Sequence, residues 1–393
     1  SREEGKPFAE GRGEIYRAGQ FFHYYAAEVL RQMGDIADSV RPGVKVEVTR
    51  EAVGVVAIIS PWNFPTATAV WKIAPALAFG NSVIWKPANL TPASAVALAE
   101  IIHRQGLPEG TFNLVLGGGS SIGDALIHSK DIDAVSFTGS VPTGRKVAAA
   151  TAPNFVRCQL EMGSKNALVI ADDADLQVAI NAAVAGAFGG SGQKCTASSR
   201  LIVMDGIHDA FVDGVIAKMK TLKVGHALDD GIFMGPVVDD KQLASNLDWI
   251  EKAKQAGANL AFGGERLEMP YDGYYMSPTL FTETDNSWDI NQEEVFAPLA
   301  CVMRVSSLEE AIAMTNDTRF GLTGGIITQS LRNSAMFKEQ VQAGCVMVNL
   351  ATAGTDYHVP FGGRKQSSFG PREQGSYAKE FYTIVKTAYQ KAY

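Results

Sequence analysis

Cysteine is scarce in this chain. Only four of its 393 residues are cysteine, and Cys158, Cys195, Cys301 and Cys345 are too widely spaced for a C-x-x-C pair. Neither a zinc knuckle nor a disulfide framework is indicated, and a reducing compartment, the cytoplasm, is expected. No apolar run approaches the roughly 20 residues a membrane-spanning helix requires. Residues 1–30 read as a charged amphipathic helix rather than a secretory leader. No cluster of lysine and arginine stands out, and a net charge of -7 argues against a nucleic-acid surface. The G-x-G-x-x-G dinucleotide fingerprint, internal repeats and low-complexity tracts are all missing as well. What remains is 46% hydrophobic and 20% charged, the balance of a globular protein large enough for two domains. The chain begins at Ser1, without Met and partway into a helical pattern, so an amino-terminal segment is expected to be absent.

Apolar runs alternate with helix-like segments, which predicts an α/β protein with mainly parallel sheets. Strands are expected at Val53–Ile59, Asn81–Lys86, Thr111–Leu116 and Ala134–Phe137, with helices through Trp71–Ala78, Ala93–Arg104 and near Ile122–Ile127. A second series opens with Asn166–Ile170, passes through an Ala-rich helix ending near Phe188, and continues at Arg200–Val203. Gly43–Arg50 alternates like a half-exposed strand, and Phe381–Tyr389 also has strand character. Such edges invite pairing between subunits.

Four places can carry chemistry. Cys195 follows Gly189-Gly190-Ser191-Gly192-Gln193-Lys194, where glycines allow close backbone approach and Lys194 can favour the thiolate. A buried structural cysteine is the alternative. The turn Thr138-Gly139-Ser140 leads from a strand into a helix whose open N–H groups suit a pyrophosphate, although a plain turn has the same composition. Glu161 ends a strand and is either a general base or a salt-bridged carboxylate; Asn63, between Pro61 and Pro65, is either an oxyanion donor or a turn former.

Taken together, seven motifs in one order carry a resemblance. They are Pro61-Trp62-Asn63-Phe64-Pro65, Lys86-Pro87-Ala88, Phe137-Thr138-Gly139-Ser140, Glu161-Met162-Gly163, Gly192-Gln193-Lys194-Cys195, Glu293-Glu294-Val295-Phe296-Ala297-Pro298-Leu299 and Pro360-Phe361-Gly362-Gly363. The chain resembles the aldehyde dehydrogenase superfamily over essentially its whole length. The resemblance implies a Rossmann-like cofactor domain (1–35 and 54–162), an α/β catalytic domain (163–366) and a small β oligomerisation arm (36–53 and 380–393). It makes Cys195 the nucleophile, Glu161 the base that activates a deacylating water, Asn63 an oxyanion donor and Lys72 a supporting residue. Ser60, Trp62, Lys86, Ala88, Asn89, Gly139, Ser140, Gly163, Glu294 and Phe296 would contact the cofactor, and Asn349 would order the Glu161 region.

The cofactor implied is NADP or NAD. Asn89 stands where NAD-preferring relatives often hold a glutamate that would repel a 2′-phosphate, so NADP is expected to be accepted, with Lys86 as its cation. Ile384 stands where some relatives have a second, buried glutamate, which predicts another proton route for Glu161. Tyr357–Lys365 and Gly370–Gly375 look most like α-ketoglutaric semialdehyde dehydrogenases, pointing to oxidation of 2,5-dioxopentanoate. Arg17 is the candidate cation for the keto acid, with Phe64, Trp71 and Phe361 as apolar walls; a surface arginine and ordinary core packing explain the same residues. Other semialdehydes, thioesterase-only turnover, or a catalytically impaired binding or structural relative are the competing readings. The expected partners are a small aldehyde and further copies of the chain in a homodimer or homotetramer, with neither nucleic acid nor membrane.

Overall fold

The computed structural model describes residues 1–31 and 33–392; Gln32 and Tyr393, which fall in the expected segments 1–35 and 380–393, lie outside the described residues. Two compact units emerge: a first of Gly13–Glu161, Thr355–Phe361 and Phe369–Tyr393, and a second of Ser1–Arg12, Met162–Gly354 and Gly362–Ser368. Both are built on parallel sheets, as the alternating pattern requires. Residues 1–12 had been expected with the cofactor half, but they fall in the second unit. The Phe8 N–H donates to the Ala227 carbonyl (2.8 Å), and Gly5, at φ +90°, lies so close to Pro236 that a side chain would collide with its ring.

The first unit contains β1 (Asp35–Asp38), β2 (Val44–Ala52), β3 (Val55–Ile59), β4 (Ser82–Lys86), β5 (Phe112–Leu114), β6 (Ala134–Thr138) and β7 (Arg157–Glu161). Its main sheet has the order β7-β6-β3-β4-β5, with the two-residue β15 (Ser368–Phe369) beside β7. β3 through β7 all pair in parallel. The chain proceeds outward from β3 through β4 to β5, then returns to lay β6 and β7 on the other side of β3. That reversal opens a crevice at the carboxyl ends of β3 and β6, where open α/β sheets bind ligands. Val56, Ile58, Val83, Trp85 and Ala134 are fully buried under helices, which explains why these strands read as unbroken apolar runs. The helix Ala67–Ala78 retains Pro75 in its interior.

β1, β2 and β16 (Thr383–Lys391) form a separate antiparallel sheet with β2 central. Along β2, half-buried and exposed residues alternate strictly, the signature of a ribbon with one covered face. The strand expected from Phe381 begins only at Thr383. Phe381 and Tyr382 are both fully buried, and consecutive inward-facing side chains fit the helical turn Lys379–Tyr382 rather than a pleat with alternating faces.

The second unit carries β8 (Asn166–Ile170), β9 (Ser198–Met204), β10 (Asn259–Phe262), β11 (Thr279–Thr282), β12 (Leu299–Val305), β13 (Thr323–Ile327) and β14 (Cys345–Val348), in the order β10-β11-β12-β9-β8-β13-β14. Only β10 is antiparallel to its neighbour. Leu168, Ile170, Leu201 and Val203 point into one core while Ala167, Val169 and Ile202 point into another, so helices cover both faces. Among the described residues, no helix is long and apolar enough to cross a membrane.

Candidate active site

In the first unit, the turns after successive parallel strands collect most of the expected cofactor and base residues along one sheet edge. Ser60, Trp62, Asn63 and Phe64 follow β3; Lys86, Ala88 and Asn89 lie at and beyond the end of β4; Gly139 and Ser140 follow β6; Glu161 ends β7. Thr138 and Glu161 are register partners, and the Gly139 N–H donates to the Glu161 carbonyl at 3.0 Å. Ser140 sits at the N-cap of the helix Val141–Thr151, yet its hydroxyl bonds Thr143 Oγ1 (3.0 Å) instead of capping the helix. The helix start therefore keeps uncapped N–H groups at the crevice, a feature that fits the phosphate of a dinucleotide. Ser60 is buried and its hydroxyl accepts from Trp85 Nε1 (2.9 Å), which ties the turn to β4. Lys86 Nζ donates to the Pro87 carbonyl (3.0 Å), and burial lowers its pKa.

Asn63 is buried in the loop that enters the helix Ala67–Ala78. That helix is capped from a distance. Glu14, buried on the helix Phe8–Glu28, accepts from the Thr66 and Ala67 N–H groups at 2.8 and 3.1 Å. A carboxylate over a helix amino end satisfies open donors and the positive dipole together.

One turn into the same helix, Lys72 is 0% exposed. Its ammonium donates to Ser136 Oγ (2.9 Å) and pairs with Glu373, which is also fully buried. Ser136 Oγ donates in turn to Gln159 Oε1 (3.0 Å), whose amide donates to the Pro371 carbonyl at 3.0 Å. Burial raises the Glu373 pKa, opposed by Lys72 and Ser136. Ile384, the position where a buried glutamate had been sought, lies on the exposed ribbon at 43% exposure. Glu14, Glu28, Glu161 and Glu373 are buried in this unit, and Glu373, eleven positions before Ile384 in the sequence, is the one at 0% exposure.

The expected substrate residues gather only in part. Arg17 Nη1 donates to the Thr355 carbonyl (2.6 Å), and its guanidinium lies 5.8 Å from the Tyr357 ring centre. Phe21 packs edge-on against both Tyr357 and Trp71, and Trp71 lies 5.4 Å from Phe361. Arg17, Trp71 and Phe361 thus belong to one aromatic group. Phe64 is half-buried in the turn before the helix.

In the second unit, Cys195 ends a strained loop. Gly190, Ser191 and Gly192 have φ of 60°, 54° and 65° in succession, a left-handed run that favours glycine and costs about 1 kcal/mol or more at Ser191. Ser191 is buried and its hydroxyl donates to the Gly235 carbonyl (2.9 Å), holding that conformation. Gln193 Oε1 accepts from the Val238 N–H (3.0 Å), and Asn166 Nδ2 donates to the carbonyls of Cys195 (2.8 Å) and Ala197 (2.9 Å). Lys194 extends over Gly189 and Gly190 to pair with Glu10 at 3.5 Å, so its charge is shared with a carboxylate as well as lying next to the thiol in sequence.

Gly192 packs against the Ala297 backbone, where any side chain would overlap the Ala297 carbonyl. This contact joins the cysteine loop to the segment carrying Glu294 and Phe296, the latter at φ +62°. Glu294 Oε1 accepts from the Ser164 N–H (3.1 Å), and a Cβ added to Gly163 would fall 1.7 Å from Glu294 Oε2. Gly163 therefore makes the room this carboxyl occupies. Glu294 is half-buried, and burial of its carboxyl pushes its pKa up to about 7 against the Ser164 N–H and Lys165. Asn349 lies at φ +59°, and its Oδ1 accepts from the Thr328 N–H at 2.9 Å.

Residues 1–388 match the Aldehyde dehydrogenase family. The chain belongs to that family. It is 42% identical over 393 residues to an alpha-ketoglutaric semialdehyde dehydrogenase of Bacillus subtilis (strain 168), covering 100% of this chain and 80% of the relative. A 2,5-dioxopentanoate dehydrogenase of Saccharolobus solfataricus is 39% identical over 391 residues, covering 99% and 81% of the two chains. A betaine aldehyde dehydrogenase of Staphylococcus aureus, solved in complex with NAD+, superposes with a TM-score of 0.96 at 35% identity over 99% of this chain and 77% of that one. Reading single motifs of this aldehyde dehydrogenase missed Glu14, Ser136, Gln159 and Glu373. Glu373 lay within a quoted run, but its partner Lys72 is 301 positions away.

Proposed function

We propose that this aldehyde dehydrogenase oxidises 2,5-dioxopentanoate to 2-oxoglutarate with NADP or NAD. The observation that carries the chemistry is the pinned, strained loop ending in Cys195, the arrangement that presents a sulfur in one fixed geometry. The substrate follows from the relatives named for this aldehyde and from Arg17, one of whose five N–H donors is spent on Thr355.

The Cys195 thiolate adds to the aldehyde carbon, and the resulting oxyanion is held by the Asn63 amide and the Cys195 N–H. The bound nicotinamide supplies the acceptor for the hydride that leaves this carbon. A thioester remains on Cys195. Glu161 takes a proton from water, the hydroxide adds to the thioester carbonyl, the C–S bond breaks, and the carboxylic acid leaves as the thiolate is regenerated. Gln159 and Glu161 project from the same face of β7, being two residues apart, so the Lys72–Glu373–Ser136–Gln159 network approaches the base from beneath the sheet edge. The network is the candidate for the proton route expected for Glu161.

The uncapped start of the helix Val141–Thr151 would hold the pyrophosphate, Lys86 a 2′-phosphate beside the uncharged Asn89, and Glu294 the nicotinamide ribose. These assignments make the first unit the cofactor domain and the second the catalytic domain, with β1, β2 and β16 joining subunits of a cytoplasmic dimer or tetramer.

The test is steady-state turnover on 2,5-dioxopentanoate, other semialdehydes and propanal with each nicotinamide. Arg17→Met is expected to raise KM for the keto acid about 10- to 100-fold, the worth of a charge-assisted hydrogen bond, while propanal is unaffected. Equal kcat/KM for uncharged aldehydes and the keto acid in the unmodified protein would sink the substrate assignment.

A further inference from the structure

One buried cation of the second unit has no role in the chemistry above. Lys165, between Ser164 and the start of β8, is 1% exposed, and its Nζ has no hydrogen-bond partner among the described residues. An unpaired ammonium in a protein interior is costly, so it persists where its charge acts on something nearby. The neighbouring backbone directs attention to Glu294: the Ser164 N–H donates to its Oε1, and Ser164, Lys165, Lys194 and Glu294 line one small cavity together with Phe296.

We propose that Lys165 is a positioning residue that acts through Glu294, its unpaired ammonium holding the neighbouring half-buried carboxylate ionised and so able to accept hydrogen bonds from the ribose hydroxyls of a nicotinamide cofactor. The second half of this statement rests on the cofactor reading of Glu294 given above.

The charges around the pair have distinct arrangements. Glu293 is engaged by Arg319 in a salt bridge, and Lys194 by Glu10. Arg200 spends its guanidinium on Asn286 Oδ1 and the Met314 and Thr315 carbonyls, and on the Lys165 carbonyl through Nε. Cys301, the register partner of Arg200, is buried and its thiol is pushed up to about 11. Lys165 is thus the one buried, unengaged cation of this group. Burial and Arg200 pull its own pKa down, to about 8, against the opposing pull of Cys301, Glu294 and Glu293. Below that pH it is charged, and Glu294, which protonates near 7, feels its full field.

The test follows Glu294 directly, without turnover. Infrared difference spectra of the cofactor-free protein across a pH series report the protonated carboxyl band, assigned by its loss in Glu294→Gln. The expected result is that Lys165→Met moves the midpoint of this band upward by about one pH unit. NADPH and NADH binding, read by fluorescence, should weaken about tenfold near neutral pH and return to the unmodified affinity about two units higher, where Glu294 ionises without help. Lys165→Gln, which removes the charge but keeps a polar end, should behave like Lys165→Met; loss of a buried unpaired charge makes both variants fold. An unmoved band in both variants overturns the proposal. A band that moves while the dinucleotide affinities ignore it upholds the action of Lys165 on Glu294 and refutes the ribose contact.

Discussion

Replacing Lys72 with Met leaves Glu373 fully buried with no side-chain donor but the Ser136 hydroxyl, whose one proton is otherwise given to Gln159. Breaking a buried ion pair from one side costs about 3–5 kcal/mol, because the surviving charge is uncompensated. The loss also depends on pH in a definite sense. Glu373 already has a raised pKa, and Lys72 opposes that rise. Without Lys72 the folded state keeps the carboxyl protonated while the unfolded chain ionises it, so stability falls by about 1.4 kcal/mol per pH unit from the unfolded carboxyl range upward. Near about pH 4 the unfolded chain is protonated too, and this pH-dependent share of the loss vanishes. Exchanging both residues at once, as Lys72→Met with Glu373→Leu, removes the stranded charge and should restore most of the loss. Urea unfolding followed by tryptophan fluorescence at a series of pH values would measure the cycle. Additive losses in the double variant, or a single-variant loss independent of pH, would refute the electrostatic account of this pair.

Two further outcomes follow from the second unit. Glu294 is raised from 4.5 to about 7 in the folded state, so its ionisation weakens folding as pH rises through that window, by at most about 3 kcal/mol; Glu294→Gln should therefore raise Tm at about pH 8 and leave it unchanged well below the unfolded carboxyl pKa, as calorimetry would show. Gly163→Ala places a methyl 1.7 Å from Glu294 Oε2; the displaced carboxyl should raise KM for the dinucleotide more than it lowers kcat, and an unchanged KM would show that Glu294 does not need its present position.

Much of the parallel framework could be read directly from the chain. β3, β4 and β6 are largely buried, so they appear as short apolar runs bounded by glycine, proline or polar residues, and the observed ends of each differ from the expected ones by only a residue or two. The Cys195 loop was visible because a left-handed run demands glycines at Gly190 and Gly192. Phe381 and Tyr382 misled, since two adjacent aromatics suit a strand in isolation and a buried helical turn in context. Ile384, matched by resemblance to a position that is buried in some relatives, lies exposed on the ribbon, and a motif match says nothing of which side of a ribbon a residue occupies.

The sequence by itself determined the α/β class, the placement of catalytic residue types in turns after strands, and the family, because period, glycine position and motif order are local properties written along the chain. The pairing of Lys72 with Glu373, the capping of a helix by Glu14 and the confinement of Lys165 beside Glu294 were decided by tertiary structure alone. Each depends on a charge being removed from water against a partner brought from elsewhere in the fold, and burial is a property that no stretch of sequence possesses until the chain has closed around it.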